Sequence, residues 1–143
     1  GLFIRGAAAN GAAIYYISME DMRLGFLGSL KEQELSDSQV EELGEIDVLF
    51  VPVGGPTSAD RGETGKTVCD AEEAVKIVNQ LEPRFVIPMH FAQKGLTLTL
   101  DKVDQFLKEI GSTKSVPQEK LTIKKSDLAD GEKIDVVVLI PQR

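Results

Sequence analysis

The feature that most constrains the fold is an unbroken stretch, residues 46–91, in which two strand patterns enclose a glycine pair and a capped helix. Residues 47–53 are almost entirely apolar, which is typical of a strand covered on both faces. Gly54 and Gly55 follow directly, and residues 84–89 predict the next strand. The alternation of strand and helix predicts right-handed crossovers, and therefore an α/β fold with a locally parallel sheet and flanking helices.

Capping residues predict where the helices begin. Ser36 with Gln39, and Asp70 with Glu73, have the spacing of a capping box, in which each side chain binds the backbone N–H of the other residue. Apolar residues then recur at helical spacing, and they do so again over residues 100–110. We therefore predict three helices.

Both ends of the chain predict antiparallel hairpins around this parallel centre. Residues 12–18 and 23–27 are rich in β-branched and aromatic side chains and are separated by a turn, which indicates a hairpin. Residues 121–123 and 134–140 predict the final strands. We expect the sheet to be mixed, with the strand over residues 47–53 at its centre.

The charge balance narrows the classes of partner. The chain carries 23 Asp and Glu against 16 Lys and Arg, which gives a formal charge of −7 and a pI near 4.8. Nucleic acids and anionic membranes are bound through concentrated Lys and Arg. We therefore expect neither a nucleic-acid partner nor a membrane partner.

Chain length limits the number of domains, and the cysteine content indicates the cellular compartment. A chain of 143 residues with 42% hydrophobic residues can bury the core of one domain. Cys69 is the sole cysteine, so this chain by itself can form neither a disulfide nor a cysteine cluster for a metal. No apolar run approaches the ~20 residues that span a bilayer, and the first residues lack the layout of a signal peptide. A cytoplasmic location is the resulting prediction.

His90, the sole histidine, is the first candidate for chemistry. It directly follows the strand predicted over residues 84–89, and α/β proteins bind ligands beyond the carboxyl ends of their strands. The alternative is a structural histidine that is hydrogen-bonded to the backbone. A catalytic zinc needs at least three protein ligands, and the chain has no His-x-His, His-Glu-x-x-His or Cys-x-x-Cys spacing. His90 alone therefore does not make a zinc site.

A phosphate-binding loop is the second candidate, because Gly65, Lys66 and Thr67 lie between a predicted strand and a predicted helix. A Walker A loop requires another glycine five residues before Gly65, and Asp60 stands there. A carboxylate in that place repels phosphate. The helix also begins at Asp70 rather than at Lys66, so we interpret the segment as a surface loop.

Three other groupings of reactive side chains are open. A serine relay with His90 would need a Gly-x-Ser-x-Gly turn, which neither Ser29 nor Ser58 has. Cys69 can act as a thiolate with His90 only if folding brings the two together, and otherwise it is a small residue before a helix cap. An acidic loop could bind a divalent cation weakly or simply be solvated, and it comprises Asp60, Glu63 and Asp70.

Several segments together resemble the C-terminal half of the metallo-β-lactamase superfamily. The most similar branch is that of the Zn-dependent hydrolases related to ascorbate-6-phosphate lactonase. The resemblance is carried by residues 28–30, 36–43, 45–55, 70–74, 82–91 and 120–128. It implies one βα half of an αββα sandwich, with a metal site at the edge between the two sheets. Residues 1–143 would form a single partial domain, from which the N-terminal half is absent.

The resemblance also implies roles for particular residues. His90 stands where the family has a zinc ligand after a strand, and Gly54 and Gly55 line the same pocket. The His-x-Gly-Asp turn of the family corresponds to residues 26–29, Phe-Leu-Gly-Ser, in which both ligands are replaced by poor zinc donors. The His-x-His-x-Asp-His motif belongs to the missing half, and residues 6–9 replace a histidine-containing loop. His90 is a remnant ligand.

Two hypotheses about function follow. In the first, the chain is a degenerate, non-catalytic module with a structural, binding or oligomerisation role, which needs no cofactor although the family uses zinc. In the second, it is part of a Zn-dependent hydrolase that cleaves an ester, lactone, amide or phosphoester bond. Half a sandwich would leave an apolar face of strand 47–53 open to water, so we expect a homodimer. The alternative is that the terminal segments of the chain cover that face.

Overall fold

The computed structural model describes residues 1–9, 12–31, 34–55, 68–95, 100–129 and 133–141, which form one mixed six-stranded sheet with three α-helices. The strands follow one another across the sheet in chain order. They are β1 (Leu2–Ala9), β2 (Ala12–Met19), β3 (Met22–Phe26), β4 (Val48–Pro52), β5 (Phe85–Met89) and β6 (Asp135–Val136). The first three strands are antiparallel neighbours, and β3 to β6 are parallel. The predicted α/β class and mixed sheet are confirmed.

The predicted N-terminal hairpin is confirmed as β2 and β3, whereas β1 is a strand that the sequence analysis missed. Residues 6–9 are glycine and alanine, which have low strand propensity, and they were interpreted as a shortened loop. They form a strand because β1 pairs with β2 along its whole length, from Leu2 opposite Met19 to Ala9 opposite Ala12.

The prediction of an antiparallel hairpin at the C-terminal end is wrong. Of residues 134–140, only Asp135–Val136 forms a strand, and it lies parallel to β5. Leu121 and Ile123 form no strand, because they pack across the face of the sheet instead of extending its edge. A 3₁₀ helix, Lys125–Leu128, follows them. We call residues 121–128 the C-terminal strap.

The three helices are α1 (Asp37–Leu43), α2 (Ala71–Leu81) and α3 (Val103–Ile110). Both predicted capping boxes are present, at Ser36 and at Asp70. The third helix begins later than residue 100, and its N-cap Lys102 makes no capping hydrogen bond. Within the described ranges, no helix combines the length and the apolar character needed to cross a bilayer.

Apolar residues pack on both faces of the sheet. The larger core lies between the sheet and the helices and includes Leu49, Val51, Ile77 and Phe106. A smaller cluster lies on the opposite face, where the C-terminal strap packs against four buried residues: Val48 on β4, Phe85 and Ile87 on β5, and Val137 directly after β6. The strap therefore covers the face of β4 that was expected to lie open, and the exposed part of this face lies on β1 to β3 instead.

Candidate functional site

Three parallel strands end side by side, so the segments that follow β3, β4 and β5 meet at one edge of the sheet. These segments are residues 27–30, 53–55 and 90–91. Ligands of α/β proteins bind beyond the carboxyl ends of strands, so the edge is the place to search for a site. It holds the pocket residues and the histidine that the sequence analysis singled out.

Gly54 brings the end of β4 against the end of β5. A Cβ atom on Gly54 would overlap the carbonyl oxygen of His90 and would lie 2.6 Å from Cα of Phe91. The N–H of Val53 also donates to the carbonyl of Met89, at 3.1 Å. A residue with a side chain cannot replace Gly54 unless the backbone moves.

Gly55 makes a second close approach, to the segment before α2. A Cβ atom on Gly55 would overlap the carbonyl of Val68. The N–H of Gly55 donates to the carbonyl of Cys69, and the N–H of Cys69 donates to the carbonyl of Leu30, at 3.0 and 2.9 Å. Backbone hydrogen bonds therefore link Leu30, Cys69 and Gly55 beyond the ends of β3 and β4.

The side chains in this space are apolar and buried. Leu27, Leu30, Val53, Val68 and Cys69 each expose 1% or less of their surface. Such a lining offers no charged group to a substrate and only one atom, the thiol sulfur, that a transition metal favours. These five side chains are therefore packed at the described part of this edge.

His90 points away from this packed interior. Its side chain is exposed, and its backbone has the left-handed value φ = 55°, which is uncommon for residues other than glycine. Within the described part of the chain, nothing forms a hydrogen bond or an ion pair with the imidazole. Neither the ligand role of His90 nor the alternative of a structural histidine is tested by this exposed position.

The acidic residues near this edge serve as helix caps. The Asp70 carboxylate accepts the N–H of Glu73 at 2.9 Å, and the Glu73 carboxylate accepts the N–H of Asp70 at 3.2 Å. Both side chains are buried. These two bonds form a capping box that satisfies backbone donors at the start of α2.

The sequence analysis missed a charged cluster at the opposite end of the sheet, where β3 and β4 begin. The guanidinium of Arg23 binds both carboxylate oxygens of Asp47, at 3.2 and 3.1 Å, and also contacts Glu45. The hydrogen bonds to Asp47, and then those to Glu45, raise the pKa of Arg23 above its ordinary range, against the opposing effect of burial. The cluster joins the starts of β3 and β4 and is structural.

Comparison with known proteins decides the family. The profile described as the β-lactamase superfamily domain matches residues 4–90, which is more than half of the chain. The chain belongs to this superfamily. A Thermotoga maritima protein, assigned to the Zn-dependent hydrolases of the metallo-β-lactamase superfamily, has 31% sequence identity and a TM-score of 0.77. The superposition covers 97% of this chain and 65% of that protein.

Two sequence relatives and another solved structure are also similar to this chain. UPF0173 proteins from Pyrococcus abyssi and Pyrococcus furiosus are each 32% identical, over 80 and 94 residues. These matches cover 56% and 61% of this chain and 32% and 38% of the relatives. Igni18, a metallo hydrolase from Ignicoccus hospitalis, shares the fold at 18% identity and a TM-score of 0.63, over 100% of this chain and 52% of that protein. The chain thus spans about two thirds or less of these relatives.

The residues of this superfamily member do not fit a zinc ion at the strand ends. The family resemblance implies that Phe26 and Ser29 replace the two ligands of the His-x-Gly-Asp turn. Neither side chain is a good zinc donor, and the centroid of the Phe26 ring lies 6.0 Å from that of Phe50. Across the described ranges, no three His, Cys, Asp or Glu side chains come together as a metal site would require. A catalytic zinc needs at least three protein ligands, and His90 offers one.

The remaining sequence candidates fall into two groups. Cys69 is fully buried whereas His90 is exposed, and no hydrogen bond joins the thiol to the imidazole, so a thiolate pair is not formed. Ser29 likewise makes no hydrogen bond to His90. The other candidates lie outside the described residues: Ser58, Asp60, Glu63, Gly65, Lys66 and Thr67.

Proposed function

We propose that this chain is a metallo-β-lactamase-fold module that carries out no metal-dependent catalysis and acts instead as a structural or protein-binding unit. The observation that supports it is the donor set at the strand ends, where His90 is accompanied by Phe26 and Ser29 instead of further ligands. When zinc is bound at a hydrolase site, it activates water and polarises the bond to be cleaved. One exposed imidazole does not hold the ion in place for that purpose.

The buried lining of the strand ends supports the same proposal. Leu27, Leu30 and Cys69 are buried beyond the strand ends, and the carboxylates of Asp70 and Glu73 cap α2. We also propose a cytoplasmic location, because a single buried cysteine suits a reducing compartment.

The decisive experiment measures zinc in the purified 143-residue protein by mass spectrometry of the elements, beside the variants His90→Ala and His90→Gln. We expect much less than one zinc per chain in all three proteins after dialysis against micromolar zinc. A Phe26→His, Ser29→Asp double variant tests whether restoring two donors raises the zinc content.

The competing hypothesis of a Zn-dependent hydrolase makes the opposite prediction. Stoichiometric zinc in the wild-type protein that is lost in His90→Ala would contradict the proposal. So would zinc-dependent cleavage of a nitrophenyl ester or phosphoester that disappears in the same variant. His90→Gln removes the imidazole but keeps a polar side chain of similar size. It therefore separates the loss of a metal ligand from the loss of a polar surface group.

A further inference from the structure

A cleft lies on the helix side of the sheet, beside the end of α1 and at the end of the sheet where β3 and β4 begin. It has a volume of about 370 Å³. We call it the α1 cleft. It is separate from the strand ends that carry His90, and its lining includes Phe3, Arg5, Tyr16, Ser18, Leu43 and Glu45.

The strand register places the α1 cleft on the outer side of the fold. Phe3 on β1 pairs with Ser18 on β2, Arg5 pairs with Tyr16, and Ser18 also pairs with Arg23 on β3. Directly paired residues share one face of a sheet, so these side chains all lie on the helix side. In the αββα sandwich of the superfamily, the second sheet packs on the opposite, helix-free face. The α1 cleft is therefore not the surface that a second sheet covers.

Arg23 forms one end of the α1 cleft and is already paired with carboxylates. Its guanidinium binds both carboxylate oxygens of Asp47 and also contacts Glu45. Arg23 therefore shapes the cleft but offers little donor capacity to a ligand.

Arg5 is held in a fixed position without a carboxylate partner. Its guanidinium carbon lies 4.8 Å from the centroid of the Tyr16 ring, and one N–H donates to the carbonyl of Glu42 in α1. Among the described residues, no Asp or Glu side chain forms an ion pair with Arg5. A guanidinium has five N–H donors in a planar fork, which matches the two oxygens of a carboxylate. Since two contacts already orient this fork, a ligand would lose less entropy in fixing it.

Ser18 and Phe3 add a polar and an apolar contact beside Arg5. Ser18 is half-buried, and its hydroxyl forms no hydrogen bond with the described part of the chain. It lies diagonally across the β1–β2 pair from Arg5, a spacing within reach of a long side chain. The Phe3 ring is 56% exposed. The α1 cleft thus combines a few polar groups with apolar surface, as ligand sites do.

We propose that the α1 cleft binds a carboxylate that is joined to an apolar group. The carboxylate accepts N–H bonds from Arg5 and the hydroxyl of Ser18, and the apolar group packs against Phe3. A free organic acid and the C-terminal residue of a peptide share this chemistry. This site goes beyond the proposed function, because it assigns a ligand class to a surface away from the strand ends.

The charges around the cleft favour a carboxylate over a phosphate. The two positive charges of Arg5 and Arg23 are balanced by the two negative charges of Asp47 and Glu45, and the whole chain carries −7. A doubly charged phosphate meets about twice the repulsion that a carboxylate meets from the surrounding acidic groups. The ligand that fits is therefore a monoanion.

An NMR titration of the 143-residue protein with N-acetyl-phenylalaninate tests the proposal, with N-acetyl-phenylalaninamide as the neutral control. The two probes differ only in the carboxylate. We expect the acid to shift the amide signals of residues 3–5 and 16–18 with a millimolar dissociation constant, and the amide to bind about fivefold more weakly. 3-Phenylpropanoate and acetylated Gly-Gly-Phe distinguish the two sources. Tighter binding of the peptide identifies a chain terminus, and equal or weaker binding identifies a free acid.

Arg5 and Ile4 provide a matched pair of variants. They are adjacent on β1 and both are exposed, but Ile4 lies on the helix-free face. Arg5→Gln should weaken binding of the acid about fivefold and remove its advantage over the amide, whereas Ile4→Gln should leave both unchanged. Ser18→Ala should weaken binding of the acid about twofold, because it removes one neutral hydrogen bond.

Arg5→Lys guards against a folding defect in Arg5→Gln, and circular dichroism checks both variants. The lysine keeps the charge but loses the planar fork, so it should bind the acid more weakly than the wild-type protein. Equal affinity for the acid and the amide overturns the proposal, as does undiminished binding by folded Arg5→Gln or the absence of shifts at residues 3–5 and 16–18. The zinc measurement concerns His90 alone, so either proposal can fail while the other stands.

Discussion

The carbonyl oxygen of His90 lies in the space that a Cβ atom on Gly54 would occupy. The ends of two neighbouring parallel strands therefore touch backbone to backbone, with the carbonyl of Gly54 also accepting the N–H of Asp101 at 2.9 Å. His90 itself is exposed and has a left-handed backbone, with φ = 55°. Packing at the strand ends and the exposure of His90 are thus two aspects of one backbone arrangement.

Gly54→Ala should destabilise the protein strongly, because the added methyl group meets backbone atoms that cannot rotate away. Overpacking usually costs about 1–3 kcal/mol, and we expect the upper part of that range. Gly6→Ala is the control, since its Cβ would meet the Tyr15 ring at an ordinary 3.4 Å. Urea unfolding measures both, and an equal loss of stability would contradict this account of the strand ends.

Asp47→Ala should cost about 1–3 kcal/mol of unfolding free energy, because it leaves the backbone N–H and guanidinium of Arg23 without their acceptor. Asp47→Asn keeps an acceptor and should lose less. Glu45→Ala should cost below about 1 kcal/mol, because the Glu45 side chain is 83% exposed. Chemical denaturation of the three variants gives the ranking, and a loss at Glu45 equal to that at Asp47 would refute it.

The raised pKa of Arg23 determines the sign of its pH effect. A raised pKa in the folded state stabilises the charged form, so this contribution is complete at any pH below the unfolded pKa of arginine and is lost only above it. We therefore expect Arg23→Lys to change unfolding free energy by the same amount at pH 6 and pH 9, both roughly within the range where each side chain is charged. A difference between the two pH values would show that another titrating group controls the cluster.

The two capping boxes should differ in their contribution to stability. Asp70 is buried and Ser36 is exposed, although each side chain accepts the same kind of N–H bond. Replacing an N-cap with alanine costs about 0.5–2 kcal/mol, so we place Asp70→Ala at the upper end and Ser36→Ala at the lower end. Asp70→Asn should recover part of the loss. Thermal melts compare the variants, and a larger effect at Ser36 would be inconsistent with the burial of these caps.

Packing rather than charge should hold the C-terminal strap in place. Ile123 packs against the cluster on β4 and β5, whereas Lys125 pairs with Asp21 at 3.2 Å between side chains that are 78% and 77% exposed. Ile123→Ala should cost about 1–2 kcal/mol, less than a fully buried position, and Lys125→Ala should cost below about 1 kcal/mol. Hydrogen exchange of residues 121–128 reports opening of the strap, and faster exchange in Lys125→Ala alone would reverse the assignment.

Local patterns were sufficient to predict the parallel centre of the fold. The apolar run over residues 47–53 became an interior strand, because a sequence without polar alternation has to be covered on both faces. The capping boxes at Ser36 and Asp70 placed two helix starts correctly, since each depends on residues only three positions apart. These signals are local, because each depends only on residues that are close together in the sequence.

Features that depend on distant partners were missed. The alanines of β1 form a strand because β2 supplies the complete ladder, and Leu121 and Ile123 leave the strand state because an apolar face is available to cover. The ion cluster of Arg23 and Asp47 joins residues 24 positions apart. No pattern within a short window contains these partners.

The sequence by itself determined that His90 follows a strand, and its family resemblance predicts that Phe26 and Ser29 replace metal ligands. Only the tertiary structure decided that His90 faces solvent, that apolar side chains fill the strand ends, and which strands remain uncovered. The physical reason is that each residue type by itself decides whether a side chain can bind a metal. Burial depends instead on which distant segments of the chain pack over that side chain.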